Sequence, residues 1–174
     1  MLSEKIKNYL IESEFYDGTE DETYQKVMSD LGINLETPFA QFNLYTNETT
    51  FSGNRAELYN VCWFAINSIY YEQIETMRSV FNLPEEYIPL DSFEGEGGFF
   101  YNRQTGEVLE LTLGKVYNDF QQGKLNTKKY FYNIAITFIA NYFPHISFTK
   151  SYDRSKNHSR KVLKLDHCGF NFPC

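Results

Sequence analysis

The spacing of apolar side chains changes period twice along this chain, dividing it into a helical first part, a stranded middle and a helical close. Residues 3–15 carry Ile6, Tyr9, Leu10 and Ile11 as a helical stripe, with Ser3 placed to cap it. After an acidic loop, Tyr24, Val27, Met28 and Leu31 repeat the spacing, and Gly32 is placed to stop that helix in the left-handed conformation. Thr37-Pro38 then supplies a cap and a first-turn proline for a third helix with Phe39, Phe42 and Tyr45 on one face. Leu58 to Ile66 is aromatic and partly β-branched, which predicts a strand in its middle. Asn67-Ser68 is then expected to cap a helix to about Val80, ended by Leu83-Pro84.

From Tyr87 the period shortens. Tyr87-Ile88-Pro89-Leu90, Phe99-Phe100-Tyr101 and Val108 to Leu113 read as a meander of strands. Glu94-Gly95-Glu96-Gly97-Gly98 lies between the first two, and Asn102 to Gly106 between the last two, with Gly106 free to take a positive φ and set the register. A short helix is expected over Val116 to Gln122, ending at Gly123. Asn126-Thr127 then opens the longest apolar stripe, Phe131, Ile134, Ala135, Phe138, Ile139 and Tyr142, which Pro144 stops. That stripe is wide enough to bury against a sheet. The expected fold is therefore α+β, an antiparallel or mixed meander covered by helices on one side.

Composition narrows the class. A chain of 174 residues suits one domain, and an aromatic content of 18% supplies large buried area. We expect a single domain over 1–149 and a basic C-terminal extension over 150–174. No apolar run reaches the roughly 18 to 20 residues that span a bilayer, and Met1 to Ile6 is charged and helical rather than signal-like. Three cysteines, Cys62, Cys168 and Cys174, make an odd count that fits free thiols in a cytoplasmic setting.

Charge is uneven. Residues 1–115 hold 20 acids and 7 bases, net -13, while 116–174 hold 3 acids and 9 bases, net +6, which together give the chain's -7. An acidic body repels phosphate backbones and attracts basic proteins, so nucleic acid is not the expected partner. The lysines at 124, 128 and 129 and the denser bases of the extension then read as solvated charge.

Candidate chemistry is sparse. Gly95-Glu96-Gly97-Gly98 is not followed by Lys-Ser or Lys-Thr, and Glu94 and Glu96 would repel an anion, so it reads as a turn rather than a phosphate loop. The pairs Glu94/Glu96 and Glu85/Glu86 lack the burial that separates the pKa values of an acid and a base. His158, His167, Cys168 and Cys174 contain no paired Cys-x-x-Cys element, and Cys62 reads as a small core residue. No catalytic residue, metal or cofactor is expected. Aromatic side chains outside the core, with Trp63, Phe93 and Tyr101 as candidates, would anchor an interface beside an acidic rim of Glu85, Glu94 and Glu96.

The order of elements carries a resemblance. Leu83-Pro84-Glu85-Glu86-Tyr87-Ile88-Pro89-Leu90, then Glu94-Gly95-Glu96-Gly97-Gly98-Phe99-Phe100-Tyr101-Asn102, then Thr105-Gly106-Glu107-Val108, then a helix ending Asn141-Tyr142-Phe143-Pro144, follow the helix at Thr37-Pro38. Over roughly residues 22–144 this resembles the SUKH superfamily, the Smi/Knr-like domains of bacterial immunity proteins. The resemblance implies an α+β fold and a non-enzymatic role, binding and neutralising a cognate toxin domain, often a nuclease. Eukaryotic regulators of cell-wall synthesis share the superfamily, so an intracellular scaffold or regulatory domain is the alternative it implies.

Overall fold

The computed structural model describes residues 2–19, 21–52, 57–93, 97–125, 129–131 and 135, with backbone alone for 52, 129 and 130. Three helices form the N-terminal part, the first and third at the places their caps predict. The helix α1 (Glu4–Glu12) starts at Ser3, whose hydroxyl accepts from the Ile6 N–H at 3.3 Å. The helix α2 (Glu22–Asp30) starts at Asp21, whose carboxylate accepts from Thr23 and Tyr24, and the chain leaves it through Gly32 at φ +70°. The helix α3 (Pro38–Leu44) starts at Thr37, whose hydroxyl accepts from the Ala40 N–H at 3.2 Å. Their inner faces bury Ile6, Leu10, Met28, Phe39 and Phe42 in one core.

A short antiparallel ribbon of β1 (Thr50–Ser52) and β2 (Glu57–Tyr59) follows. The strand expected within Leu58 to Ile66 stops at Tyr59, and the rest is the helix α4 (Val61–Asn67). Buried polar groups make this switch. The Asn60 side chain accepts from the Trp63 N–H at 3.1 Å and donates to the carbonyls of Asn43 and Thr46, while Asn43 accepts from the Val61 N–H at 2.7 Å. Those bonds satisfy the first turn of a helix, and they outweigh the β-leaning composition of Val61-Cys62-Trp63-Phe64.

Asn67 and Ser68 serve the end of α4 rather than the start of the next helix. Their side chains donate back to the carbonyls of Trp63 and Phe64. The next helix, α5 (Tyr70–Phe81), starts at Ile69 with no side-chain cap and stops where Asn82 adopts φ +48°, before Leu83-Pro84 is reached.

The meander is present. The strands β3 (Tyr87–Pro89), β4 (Gly97–Asn102), β5 (Glu107–Thr112) and β6 (Lys129–Tyr130) form one antiparallel sheet in the order β3-β4-β5-β6. With the six helices among the described residues, this is an α+β fold. The β4–β5 hairpin turns on Asn102, whose side chain accepts from the N–H groups of Gln104 and Thr105, and Gly106 takes φ +73° as expected. Two expectations move. Gly97 and Gly98 are strand residues rather than turn residues. Lys129 and Tyr130 pair with β5, so the closing helix does not open at Asn126-Thr127; Phe131 and Ala135 are helical, and the remainder of the stripe lies outside the described residues.

The outer edge of β3 is sealed by α5. Carbonyls at every second position point away from β4, and α5 meets them: Arg78 Nη2 reaches Glu85 O, Arg78 Nε reaches Tyr87 O at 3.0 Å, Tyr70 Oη reaches Pro89 O at 2.7 Å and Gln73 Nε2 reaches Asp91 O at 3.3 Å. Proline at 89 has no N–H to leave unpaired, so an edge that could recruit a foreign strand is closed.

Register puts alternate side chains on opposite faces. Ile88, Tyr101 and Val108 line one face and join the helical core through Phe39, Phe42 and Phe131; Phe39 stacks on Tyr101 at 3.9 Å. Tyr87, Phe100, Leu109 and Leu111 line the other and join Met77 and Leu83 in a smaller core under the helix α6 (Lys115–Gln121). Helices thus cover both faces rather than the one expected, α6 and the end of α5 closing the second.

Candidate partner-binding surface

The smaller core borders the turn that the sequence singles out, and the turn is built by one buried carboxylate. Asp91 is 2% exposed; its Oδ1 accepts from the Phe93 N–H and its Oδ2 from the Phe99 N–H, both at 3.0 Å. The two bonds tie Phe93, at the start of the turn, to Phe99 in the first part of β4 through one carboxylate. Phe93 is held at φ +56°, in the left-handed region that a bulky residue rarely adopts.

Glycine at 98 is required by this closure. A Cβ there would stand 2.5 Å from Asp91 Oδ1 and 2.6 Å from Phe93 Cδ2. A Cβ at Gly97 would stand 3.0 Å from Thr112 Cγ2 across the β4–β5 pair. The glycines that look like turn formers are thus sites of close approach within a sheet.

Phe93 is half-buried. Its ring lies 4.2 Å from Phe81 and 5.9 Å from Phe100. Phe81 meets Tyr117 edge-on, and Tyr87 meets Phe120 in the same way. The helix α6 is held against the end of α5 by Asn82 Nδ2 to Gln121 Oε1 and Gln121 Nε2 to Phe81 O, both at 3.0 Å. Phe81, Phe93, Val116, Tyr117 and Phe120 are all only partly covered, and Val80 and Leu113 are exposed. Aromatic rings shared between core and solvent suit an interface, since burying their remaining area on a partner needs little further ordering.

The expected anchors separate. Tyr101 is 2% exposed, stacked on Phe39 and raised above the ordinary phenol range chiefly by burial; it belongs to the large core and cannot meet a partner. Its odd spacing from Phe100 puts it on the face that meets α3. Trp63 is half-buried on α4, edge-on to Phe64 at 5.1 Å, on a different element from Phe93. Glu85 is exposed, and its carbonyl holds Arg78 and Arg103. Glu94 and Glu96 lie outside the described residues. Sequence reasoning missed Tyr117, Phe120, Val80 and Leu113; the spacing Val116, Tyr117, Phe120 on one short helix was the available signal.

A groove of about 340 Å³ lies beside the large core, lined among others by Thr37, Phe39, Tyr101, Arg103, Thr105 and Phe131. Arg103 closes one side, donating to Leu31 O and Glu85 O at 2.6 Å each, and burial first and Arg78 second lower its guanidinium below its ordinary value. No carboxylate, thiol or imidazole lines the groove among the described residues; its polar lining is hydroxyl, amide and guanidinium.

Cys62 is free and wholly buried, and burial pushes its thiol far up, away from a reactive thiolate. Among the described residues no group of three or more His, Cys, Asp or Glu could hold a metal ion, and no helix is long and apolar enough to cross a membrane. His158, His167, Cys168 and Cys174 lie outside the described residues. No family model, curated protein or solved structure matches the chain.

Proposed function

We propose that this chain is a cytoplasmic immunity protein with a SUKH-like domain, which binds a basic toxin domain and blocks it without turnover. One observation carries the reading: a ring of half-covered aromatics, Phe81, Phe93, Tyr117 and Phe120, stands beside an Asp91-anchored turn on a body of net charge -13 over residues 1–115. The acidic field speeds encounter with a basic partner, and the aromatic rings, once desolvated, slow its release. Blocking then needs only that the partner's substrate site be covered.

Co-expression of the chain with the toxin domain encoded beside it tests the reading. Growth is expected to depend on this protein and to be lost when Phe93→Ala and Tyr117→Ala are combined in a variant that still folds. Growth that is the same with and without the chain overturns the proposal, as does recovery of a housekeeping complex in place of a toxin from native cytoplasm, which supports the scaffold role.

A further inference from the structure

A second exposed apolar surface lies at the elbow where α4 passes into α5. Ile66 is 45% exposed, Ile69 70% and Tyr71 43%, and Trp63 lies one turn before Ile66 on the same side of α4. Nothing among the described residues covers this side. Its rim is acidic: Asp21, Glu22 and Asp30 at α2 and Glu72 and Glu75 on α5 stand against Lys26 and Arg78, five acids to two bases, net -3. Asp30 lies beside Tyr71 and pairs with Lys26, and Glu75 pairs with Arg78, whose guanidinium also reaches the carbonyls of Glu85 and Tyr87, so the net charge rests on Asp21, Glu22 and Glu72.

We propose that this elbow is the docking site of the chain's own basic segment, residues 150–164. The segment carries Lys150, Arg154, Lys156, Arg160, Lys161 and Lys164 against Asp153, net +5, and its Val162-Leu163 pair supplies aliphatic surface between two of those bases and a third. It therefore matches the elbow in both charge and apolar character. A second copy of the chain would bring a like-charged elbow, which repels.

Reach and concentration also favour the tethered segment. Fourteen residues lie between Ala135 and Lys150; with the expected helix to Pro144 rising about 1.5 Å per residue and the remainder extended, they span up to about 33 Å, more than twice the radius of gyration of about 14 Å of a domain of this size. Tethering raises the local concentration to the order of millimolar, so contacts too weak to hold a free peptide still populate the docked state.

Trp63 is the single tryptophan, so its indole gives one resonance and reports on the elbow alone. The test places a nitroxide at Ser159→Cys in the full chain, with Cys168→Ser and Cys174→Ser; Cys62 is buried and takes no label. At about 20 mM salt the indole signal is expected to lose most of its intensity, and at about 500 mM to recover it. Combining Arg160→Glu, Lys161→Glu and Lys164→Glu is expected to restore the signal at low salt, as is combining Ile66→Ser with Ile69→Ser on the exposed elbow. An indole that stays sharp at low salt overturns the proposal. So does broadening that survives the charge reversal, or broadening that appears when labelled chain is mixed with unlabelled, isotope-enriched chain, which would place a second copy at the elbow instead.

Discussion

The two faces of the four-stranded sheet are filled in different ways. One face meets α3 and the start of the closing helix through rings that are wholly enclosed: Phe39, Phe42 and Tyr101 are each no more than 2% exposed. The other meets α5 and α6 through rings that are shared with solvent, so that its six buried residues are ringed by as many half-covered ones. A single sheet thus separates a face that holds the molecule together from one whose aromatic area is only partly used by folding. Area left over in that form is available to a partner, which is why the second face, rather than the first, carries the functional reading.

Matched truncations break or sharpen this contrast most strongly. Phe39→Ala empties a site stacked on Tyr101 and edge-on to Phe131, and is expected to cost about 3–5 kcal/mol in urea denaturation. Phe93→Ala removes a ring already half in water and is expected to cost about 1–2 kcal/mol, since the transfer and cavity contributions shrink with exposure. Equal losses would show that the small core bears as much of the fold as the large one, and the surface reading of Phe93 would fail.

Next in size is the polar junction that lets α4 enter the large core. Asn60→Ala leaves the carbonyls of Asn43 and Thr46 and the Trp63 N–H without their partner, all near a residue 1% exposed. The expected loss is about 2–3 kcal/mol, with Asn60→Asp recovering the cap to Trp63 but not the two donated bonds. A cost below that of an ordinary surface cap would mean that the helix is held by apolar packing alone.

This junction also explains where reading the chain as a string succeeds and fails. Caps made by residues adjacent to their helix, Ser3 and Thr37, are visible because the bond spans three positions. The cap from Asn60 to Trp63 spans three positions as well, but Asn60 is held by the carbonyl of Asn43, 17 positions earlier, whose side chain also takes the Val61 N–H; without that partner the aromatic run looks like a strand. The meander and the Gly106 hairpin are legible from period and turn chemistry. The reason for Gly98 is not, because it lies in the reach of Asp91 across the turn. Nor could alternation tell which of Phe100 and Tyr101 faces the larger core, since both faces of this sheet are apolar.

The turn itself gives a smaller effect on the second face. Gly98→Ala forces a methyl against Asp91 and Phe93, and the expected cost is about 1–3 kcal/mol, below that of Phe39→Ala because the turn can yield at its open side. Hydrogen exchange at the Phe93 and Phe99 amides, both bound to Asp91, should rise in the variant while the amides of α3 keep their protection. Uniform loss of protection would join the two faces into one cooperative unit and remove the contrast.

The smallest effect at neutral pH, and the one with a distinctive sign, comes from Tyr70, which bridges the two regions by donating to Pro89 O at 2.7 Å. Tyr70→Phe should cost about 1 kcal/mol at pH 7, the worth of one bond to a carbonyl at the sheet edge. Burial, above all, raises the Tyr70 phenol well above its ordinary value of 10.0, so the folded chain keeps a proton that the unfolded chain gives up. A raised value in the fold means that the stability due to this group is complete below pH 10 and declines as pH rises from there toward the folded value. The slope from one such proton is at most about 1.4 kcal/mol per pH unit. Tyr24, Tyr71 and Tyr101 are raised too, so the variant keeps part of the slope and loses the share of one group. Urea unfolding at pH 7, 9 and 10.5 should therefore show wild type and Tyr70→Phe drawing together above pH 10. Curves that stay parallel would mean that the Tyr70 hydroxyl is reached by solvent, and that α5 does not seal the edge of β3.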